Sequence, residues 1–292
     1  MHNKCRLFFG AVMLLLLSGC NKKVESTVDA NYKDKADTSI KYYSTDVKDN
    51  FVISVSLPDG YKANNKEAYP VVYLLDANLY FDMVAATCHK YTEIGLIPSV
   101  ILVGIGYKDL QTMDSLRCRD FTFPLALAEY EMTVSGKAGH FLRFLQKELI
   151  PHIDANYSVD KNKRLLIGHS LGGYFTLYAL QQDLLYQNDL FSSYIAASPS
   201  TNYNRNYLVK EFQNLPLNNK NEMTAYVTFG GLEDADEEDA SLLKSNETLQ
   251  SLSSTLNDKN NIVFKGDMYS NLGHMDTPLP TFIKGLQFAL NK

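Results

Sequence analysis

A glycine-rich hexapeptide around Ser170 carries the clearest chemical signal in the sequence. Residues 168–173 read Gly-His-Ser-Leu-Gly-Gly, preceded by the mostly apolar run 164–167 and followed by a helical pattern over 174–180. A serine on a sharp strand-to-helix turn presents its hydroxyl where a histidine can take the proton. The glycines two residues to either side leave room for the chain to reverse. The spacing therefore predicts Ser170 as a nucleophile.

The base that would activate Ser170 is found by elimination, because the partners of such a serine follow it in the order carboxylate, then histidine. The chain has six histidines, and four of them precede the turn. His169 adjoins the serine, and we expect its side chain to point away along the strand. His274 remains, in a turn-rich loop between the strand-like run 261–266 and a C-terminal helix. We predict that His274 is the general base.

The carboxylate partner is expected after a strand-like run that ends at Gly230, where an acidic segment begins. Glu233 is the first carboxylate after that strand, and it is our choice for the residue that orients the imidazole. Asp234 and Asp236 stay open as alternatives. We expect the acidic residues 236–239 to cap the next helix, because negative charge is favourable near a helix N-terminus.

Stabilisation of an oxyanion at the serine requires two backbone N–H groups. One is expected from Leu171, the residue after the nucleophile. The other is expected from the loop that follows the strand-like run 69–75, where we assign it to Asn78, with Ala77 as the alternative.

The chain alternates between strand-like and helical patterns, which predicts an α/β fold with a mostly parallel central sheet flanked by helices. Two longer segments, 108–137 and 198–222, leave the carboxyl edge of this sheet, where ligands bind in such folds. The first segment contains Arg117 and the second contains Tyr203, and these are our candidate substrate-binding residues. The strand-like runs are 51–57, 71–75, 100–105, 164–167, 193–197, 225–229 and 262–264.

The first twenty residues resemble a bacterial lipoprotein signal. Two basic residues precede an apolar run over 7–17, and small residues lead to Cys20. The resemblance implies cleavage before Cys20, lipidation of its thiol and a location in the cell envelope, anchored to a membrane and facing the periplasm or the exterior. The predicted organisation is a signal peptide (1–19), a flexible tether (20–38) and one catalytic domain (39–292).

Charge and composition narrow the class of partner. Loss of residues 1–19 removes two positive charges and changes the formal net charge from −5 to −7. Such an acidic chain does not suit nucleic acid, so a small-molecule ester is the expected partner, and the oligomeric state stays open. The sequence has neither zinc-ligand spacing nor a phosphate-binding loop, so we expect no cofactor and no metal. Cys88 and Cys118 are left to form one disulfide if they lie close enough.

Several motifs together resemble the esterase D group of α/β-hydrolases, and the resemblance runs from about residue 40 to the C-terminus. That group includes trilactone siderophore esterases, feruloyl and acetyl esterases of carbohydrates, S-formylglutathione hydrolase and the mycolyltransferases. The siderophore-esterase branch is the most similar. The motifs are Leu-Leu-Asp (74–76), Val-Gly-Ile-Gly-Tyr (103–107), Arg-Asp-Phe-Thr (119–122), Phe-Leu-Arg-Phe-Leu (141–145), Glu-Leu-Ile-Pro (148–151), residues 168–173 and Ser-Pro-Ser (198–200).

The resemblance implies an α/β-hydrolase fold and a serine carboxylic ester hydrolase that works through an acyl-enzyme. A siderophore trilactone is the expected substrate. A feruloyl or acetyl ester of a carbohydrate is the alternative, favoured by the lack of tryptophan after Ser-Pro-Ser. An acyltransferase would form the same acyl-enzyme, and a ligand-binding lipoprotein on this fold is the non-enzyme alternative. The neighbouring family motif also suggests that Arg119 and Asp120 pair with each other.

Overall fold

An eight-stranded sheet organises this computed structural model, which describes residues 38–63, 68–215, 222–236, 242–257 and 262–291. The strand order is β1-β2-β4-β3-β5-β6-β7-β8. Both β1 and β4 run antiparallel to β2, and all other neighbouring pairs are parallel. The strands are β1 (Thr38–Ser44), β2 (Asp49–Ser56), β3 (Tyr69–Leu74), β4 (Ile101–Gly106), β5 (Val159–His169), β6 (Ser193–Ala197), β7 (Met223–Gly230) and β8 (Ile262–Tyr269).

Helices connect the parallel strands, as expected where each strand must return to the same edge of the sheet. They are α1 (Ala77–Glu93), α2 (Leu110–Phe121), α3 (Ala138–Phe144), α4 (Ile150–Asn156), α5 (Leu171–Tyr186), α6 (Tyr203–Gln213), α7 (Ser245–Asn257) and α8 (Pro278–Leu290). A π-helical turn (Leu145–Leu149) joins α3 to α4, and short 3₁₀ turns occupy Ala128–Tyr130 and Glu233–Asp236.

The sheet has an apolar core on each face, because side chains alternate along a strand. On β3, Val71 and Tyr73 pack into one core, while Val72 and Leu74 pack into the other. Helices α1 and α8 cover the second face, and most of the remaining helices cover the first. This arrangement fixes the carboxyl edge of the sheet, where β5 and β7 end and where the site described below is built.

The predicted α/β fold with a mostly parallel sheet is confirmed. The strand prediction missed β1, whose residues are mostly exposed and which pairs with β2 at the edge of the described sheet. Helix α7 begins at Ser245, and residues 237–239 of the acidic run, which were expected to cap the next helix, lie outside the described residues. Residues 1–37, which hold the predicted signal peptide, most of the predicted tether and Cys20, lie outside the described residues. Within the described chain, no helix is both long and apolar enough to cross a bilayer.

Candidate active site

The turn between β5 and α5 holds Ser170 in a backbone conformation that few residues adopt. Its φ of 58° and ψ of −121° place it outside the ordinary regions for a residue with a side chain. The turn is tied to the next strand by a hydrogen bond from Ser170 N to Ala197 O of 3.0 Å. A Cβ at Gly168 would overlap the carbonyl of Gly172, so only glycine permits this reversal. The sequence thus builds the sharp turn that was predicted.

His274 lies in the loop that joins β8 to α8 and pairs with Glu233, which follows β7. His274 Nδ1 lies 2.9 Å from Glu233 Oε2, and the two side chains are 40% and 11% exposed. A ring nitrogen that faces a carboxylate carries a hydrogen, so the other nitrogen of the neutral ring, Nε2, can accept a proton. The pair is therefore arranged as a general base oriented by a carboxylate.

The second oxygen of Glu233 is held by a network that the sequence did not reveal. Ser198 donates its hydroxyl to Glu233 Oε1 at 2.5 Å, and the Gly230 amide donates to the same oxygen. Burial alone would raise the pKa of this carboxyl, but the hydrogen bonds from His274, Ser198 and Gly230 outweigh it and lower the pKa. Glu233 is thus held ionised beside the imidazole.

The two alternative carboxylates are placed differently from Glu233. Asp234 accepts hydrogen bonds from the backbone and the hydroxyl of Ser245, at 3.0 and 2.8 Å, and so caps the start of α7. The side chain of Asp236 lies outside the described part of the chain. Of the two carboxylates whose side chains are described, Glu233 contacts the imidazole.

The hydroxyl of Ser170 faces a second serine. Its Oγ lies 3.2 Å from Ser200 Oγ, and the Ser200 amide donates to Ser170 O at 3.0 Å. Among the described residues, no hydrogen bond links Ser170 Oγ to His274. Such catalytic hydrogen bonds are often long before substrate binds. The carboxylate–histidine half of the predicted triad is thus formed, and the serine–histidine half is open.

His169 was expected to point away from the site, and this expectation is wrong. Its ring is buried with its centroid 4.7 Å from that of His274, and its Nε2 lies 2.9 Å from His274 O. Its Nδ1 lies 3.0 Å from the Tyr80 hydroxyl. Burial, helped by the nearby charge of His274, lowers the pKa of His169 to about 4. The ring is therefore neutral near pH 7.

Both helices that would supply oxyanion donors begin beside the turn. Ser170 is the N-cap of α5, and Asp76, with a φ of 51°, is the N-cap of α1. The first N–H groups of a helix have no partner within that helix, so Leu171 and Asn78 carry available amides at this edge. The Asn78 side chain clamps Tyr107 by hydrogen bonds to its amide and carbonyl of 2.7 and 2.8 Å. The two oxyanion assignments stay predictions.

Arg117 does not line the mouth of the pocket, which corrects its predicted role. Its guanidinium makes two hydrogen bonds to the buried Asp76 carboxylate, at 3.1 and 2.8 Å, and one to His169 O at 3.2 Å. Burial alone would lower the pKa of Arg117, but the charge and hydrogen bonds of Asp76 outweigh it and raise the pKa. The cation therefore braces the start of α1 against the end of β5.

Tyr203 is likewise buried rather than placed at the mouth. It is 2% exposed, donates its hydroxyl to Pro124 O at 2.8 Å and packs edge-on against Tyr174. It holds the segment after α2 against α6 instead of facing a ligand.

Two other predictions about side-chain pairing have clear outcomes. Arg119 pairs with Asp120 at 2.7 Å, so the suggested ion pair is confirmed, and it also pairs with Asp49 at 2.8 Å. The disulfide is not formed, because Cys88 on α1 and Cys118 on α2 are both free thiols.

A cavity of about 330 Å³ lies beside the His274–Glu233 pair. Its lining combines hydroxyl, amide and carboxylate groups with a few apolar side chains, so a ligand there can both hydrogen-bond and bury an apolar surface. The lining residues are Pro199, Ser200, Thr201, Asn202, Phe229, Glu233, Asp234, Leu243, Ser245 and His274.

Comparison with known families gives a match over most of the chain. The model of the family Esterase, described as "Putative esterase", matches residues 44–266. That range contains the turn at Ser170 and also Glu233, and it ends before His274.

Two curated relatives match part of the chain. Ferri-bacillibactin esterase BesA of Bacillus subtilis (strain 168) is 38% identical over 179 residues, which is 56% of this chain and 60% of the relative. Apo-salmochelin esterase of Escherichia coli O6:H1 is 30% identical over 142 residues, which is 45% of this chain and 42% of the relative. The chain thus spans about half the length of the curated relatives it matches.

Solved structures share the fold over nearly the whole domain. The BES protein from Bacillus cereus superposes with a TM-score of 0.73 and 27% identity, covering 87% of this chain and 94% of that one. Siderophore hydrolase EstB from Aspergillus nidulans gives a TM-score of 0.70 at 20% identity, covering 87% and 94%. The second likeness concerns the fold alone.

Proposed function

This chain belongs to the esterase family, and from that premise we propose that it is a serine hydrolase of carboxylic esters. The observation that carries the proposal is the pairing of His274 with Glu233 at 2.9 Å beside the strained turn at Ser170. A carboxylate that is held ionised makes the imidazolium formed during proton transfer less costly. The proposed nucleophile, base and acid are Ser170, His274 and Glu233.

In the proposed reaction, Ser170 Oγ forms a bond to the ester carbonyl carbon while His274 Nε2 takes the hydroxyl proton. The carbonyl oxygen becomes an oxyanion, which the amides of Leu171 and Asn78 would bind. Collapse of this intermediate breaks the bond to the alcohol, which leaves with the proton from His274. Water then repeats the sequence on the acyl-enzyme and releases the acid.

Before attack the Ser170 hydroxyl must donate its hydrogen to His274 Nε2, and its oxygen can still accept a hydrogen bond from the Ser200 hydroxyl while it does so. Rotation about one side-chain bond changes the direction of Oγ without disturbing the backbone. We propose that this rotation toward His274 accompanies binding of the ester.

We propose a siderophore trilactone as the substrate. Two curated relatives are named as esterases of siderophores, ferri-bacillibactin and apo-salmochelin. The cavity beside His274 is lined by hydroxyl and amide groups, which suit a polar aromatic ester better than a long aliphatic chain. Because Arg117 is engaged by Asp76 and Tyr203 is buried, we propose that the recognising groups are those of the cavity, among them the exposed Asn202.

The substrate is tested by comparing kcat/KM for a catecholate trilactone, methyl ferulate, an acetylated xylo-oligosaccharide and a long-chain acyl ester. The trilactone is expected to give the highest value, and Asn202→Ala is expected to lower that value more than the value for p-nitrophenyl acetate. Asn162→Ala, at the opposite edge of the sheet, is the matched control. A highest kcat/KM for the long-chain ester would refute the substrate while leaving serine hydrolysis intact.

We also propose that Cys20 carries a lipid that anchors the protein to a membrane of the cell envelope. The signal-like run over 7–17 supports this proposal. The described chain starts at Thr38, which pairs with Val55 toward the amino edge of the parallel strands, whereas Ser170 lies at the carboxyl edge.

A further inference from the structure

His169 makes two hydrogen bonds that connect the turn at Ser170 to the loop of His274. Its Nε2 lies 2.9 Å from His274 O, and its Nδ1 lies 3.0 Å from the Tyr80 hydroxyl. A carbonyl oxygen can only accept, so Nε2 must carry the hydrogen and Nδ1 must accept from Tyr80. The two contacts together select one tautomer of a buried ring.

Few other contacts hold the backbone of the loop at His274. Its side chain is 40% exposed, and the neighbouring Met275 and Asp276 are also exposed. The Thr277 hydroxyl lies 3.1 Å from His274 O but also 2.6 Å from Ser198 Oγ, and its single hydrogen can serve only one of them at a time. His169 is therefore the donor that is always available to the His274 carbonyl.

From these contacts we propose that His169 is a positioning residue, which fixes the backbone of His274 so that the imidazole faces Ser170. This inference rests on the proposed serine hydrolase function. His169 and Ser170 are consecutive residues, so one rigid turn carries both the nucleophile and the group that holds the base. Glu233 sets the rotation of the imidazole, and His169 sets the position of the main chain that carries it.

The surroundings of His169 keep it in the required form. Arg117 donates to its carbonyl at 3.2 Å, and Tyr80 packs edge-on against Phe282. The titratable side chains that act on the His169 ring from the facing loops are His274, after β8, and Glu233, after β7. Burial, with a smaller effect of the Asp76 charge, raises the pKa of Tyr80 to about 12, so its hydroxyl remains a donor. A neutral ring beside His274 also avoids adding a second positive charge when the base takes its proton.

The matched pair His169→Gln and His169→Asn tests this role. The glutamine amide reaches about as far as imidazole Nε2 and can donate to His274 O, whereas the asparagine amide is one bond shorter. With p-nitrophenyl acetate, the asparagine variant is expected to lose about 10- to 100-fold in kcat with little change in KM, because a shift of about 1 Å in a catalytic group has an effect of that size. The glutamine variant and the exposed control His140→Gln are expected to stay within a few-fold of the parent.

Imidazole ¹⁵N NMR of the unmodified protein supplies a second test that does not depend on a variant folding. The expected spectrum shows the hydrogen of His169 on Nε2 and that of His274 on Nδ1. Equal kcat in the asparagine and glutamine variants, or a His169 hydrogen on Nδ1, would overturn the positioning role. Persistent turnover in Ser170→Ala would instead overturn the proposed function, so the two failures are distinguishable.

Discussion

Burial of His169 predicts a specific dependence of stability on pH. The pKa of this ring falls to about 4 in the fold, from a value of 6.5 in the exposed side chain. The unfolded chain therefore binds a proton at a pH where the folded protein does not. The neutral ring of His169 therefore contributes to the free energy of unfolding, and this contribution is fully present above pH 6.5. It is lost progressively as the pH falls and is gone below about pH 4.

The magnitude follows from the same pair of values. Between pH 6.5 and about pH 4, each unit by which the pH falls lowers the free energy of unfolding by about 1.4 kcal/mol. By pH 5 the loss attributable to His169 is therefore about 2 kcal/mol. His169→Gln keeps a donor toward His274 but does not titrate, and this variant should lack that loss. The quantity to measure is the difference in the free energy of unfolding between the parent and the glutamine variant at each pH. Groups that titrate alike in both proteins do not affect this difference.

The assay is urea unfolding of the parent and of His169→Gln at pH 8, 7, 6 and 5, followed by fluorescence. The stability advantage of the parent is expected to shrink by about 2 kcal/mol across this series. His140→Gln, an exposed histidine on α3, separates the effect of burial from the loss of a histidine as such. Parallel curves for the parent and His169→Gln would refute the assignment of a buried neutral ring.

Three further predictions concern the proposed acid, the Arg117–Asp76 ion pair and the anchor. Glu233→Gln should lower kcat by roughly 10³- to 10⁴-fold, as in other triads, while Asp234→Asn should have a far smaller effect; steady-state kinetics with both variants checks the ranking. Arg117→Met should lower the free energy of unfolding by about 3–5 kcal/mol because it leaves a buried carboxylate unpaired, against at most about 1 kcal/mol for Arg205→Ala, whose pair with Glu129 is exposed. Cys20→Ala should move the protein out of the membrane fraction or block its processing, and membrane retention of a processed variant would contradict the anchor.

The sequence predicted most of the sheet, because its buried strands carry continuous apolar runs. It missed β1 (Thr38–Ser44), an edge strand whose exposed residues need no apolar pattern and whose pairing depends on β2. It also shortened β5, since the exposed start of that strand reads as a polar loop. Edge strands and the ends of strands are held by backbone hydrogen bonds to the neighbouring strand, and side-chain patterns predict such pairing poorly.

The central candidates of the site were readable because their signals are local or follow chain order. Ser170 has its glycines beside it, Glu233 follows β7, and His274 follows β8, the next strand along the chain. The predicted role of Arg117 failed for the opposite reason. Its partner Asp76 is 41 residues away, and only the fold shows that this carboxylate forms an ion pair with the Arg117 guanidinium.

The contribution of His169 was missed because a single residue beside a nucleophile gives no pattern of its own. Its importance depends on Tyr80, 89 residues earlier, and on His274, 105 residues later. The Ser-Pro-Ser motif was noticed, but the sequence did not show that Ser198 holds the acid while Ser200 faces the nucleophile.

The central claim is that Ser170 is the nucleophile, and covalent labelling tests it most directly. The protein is treated with a fluorophosphonate, and the modified peptide is identified by mass spectrometry. We predict a single adduct on Ser170, which disappears in Ser170→Ala and forms far more slowly in His274→Ala. An adduct on Ser200, or ester hydrolysis that persists in folded Ser170→Ala, would contradict the account.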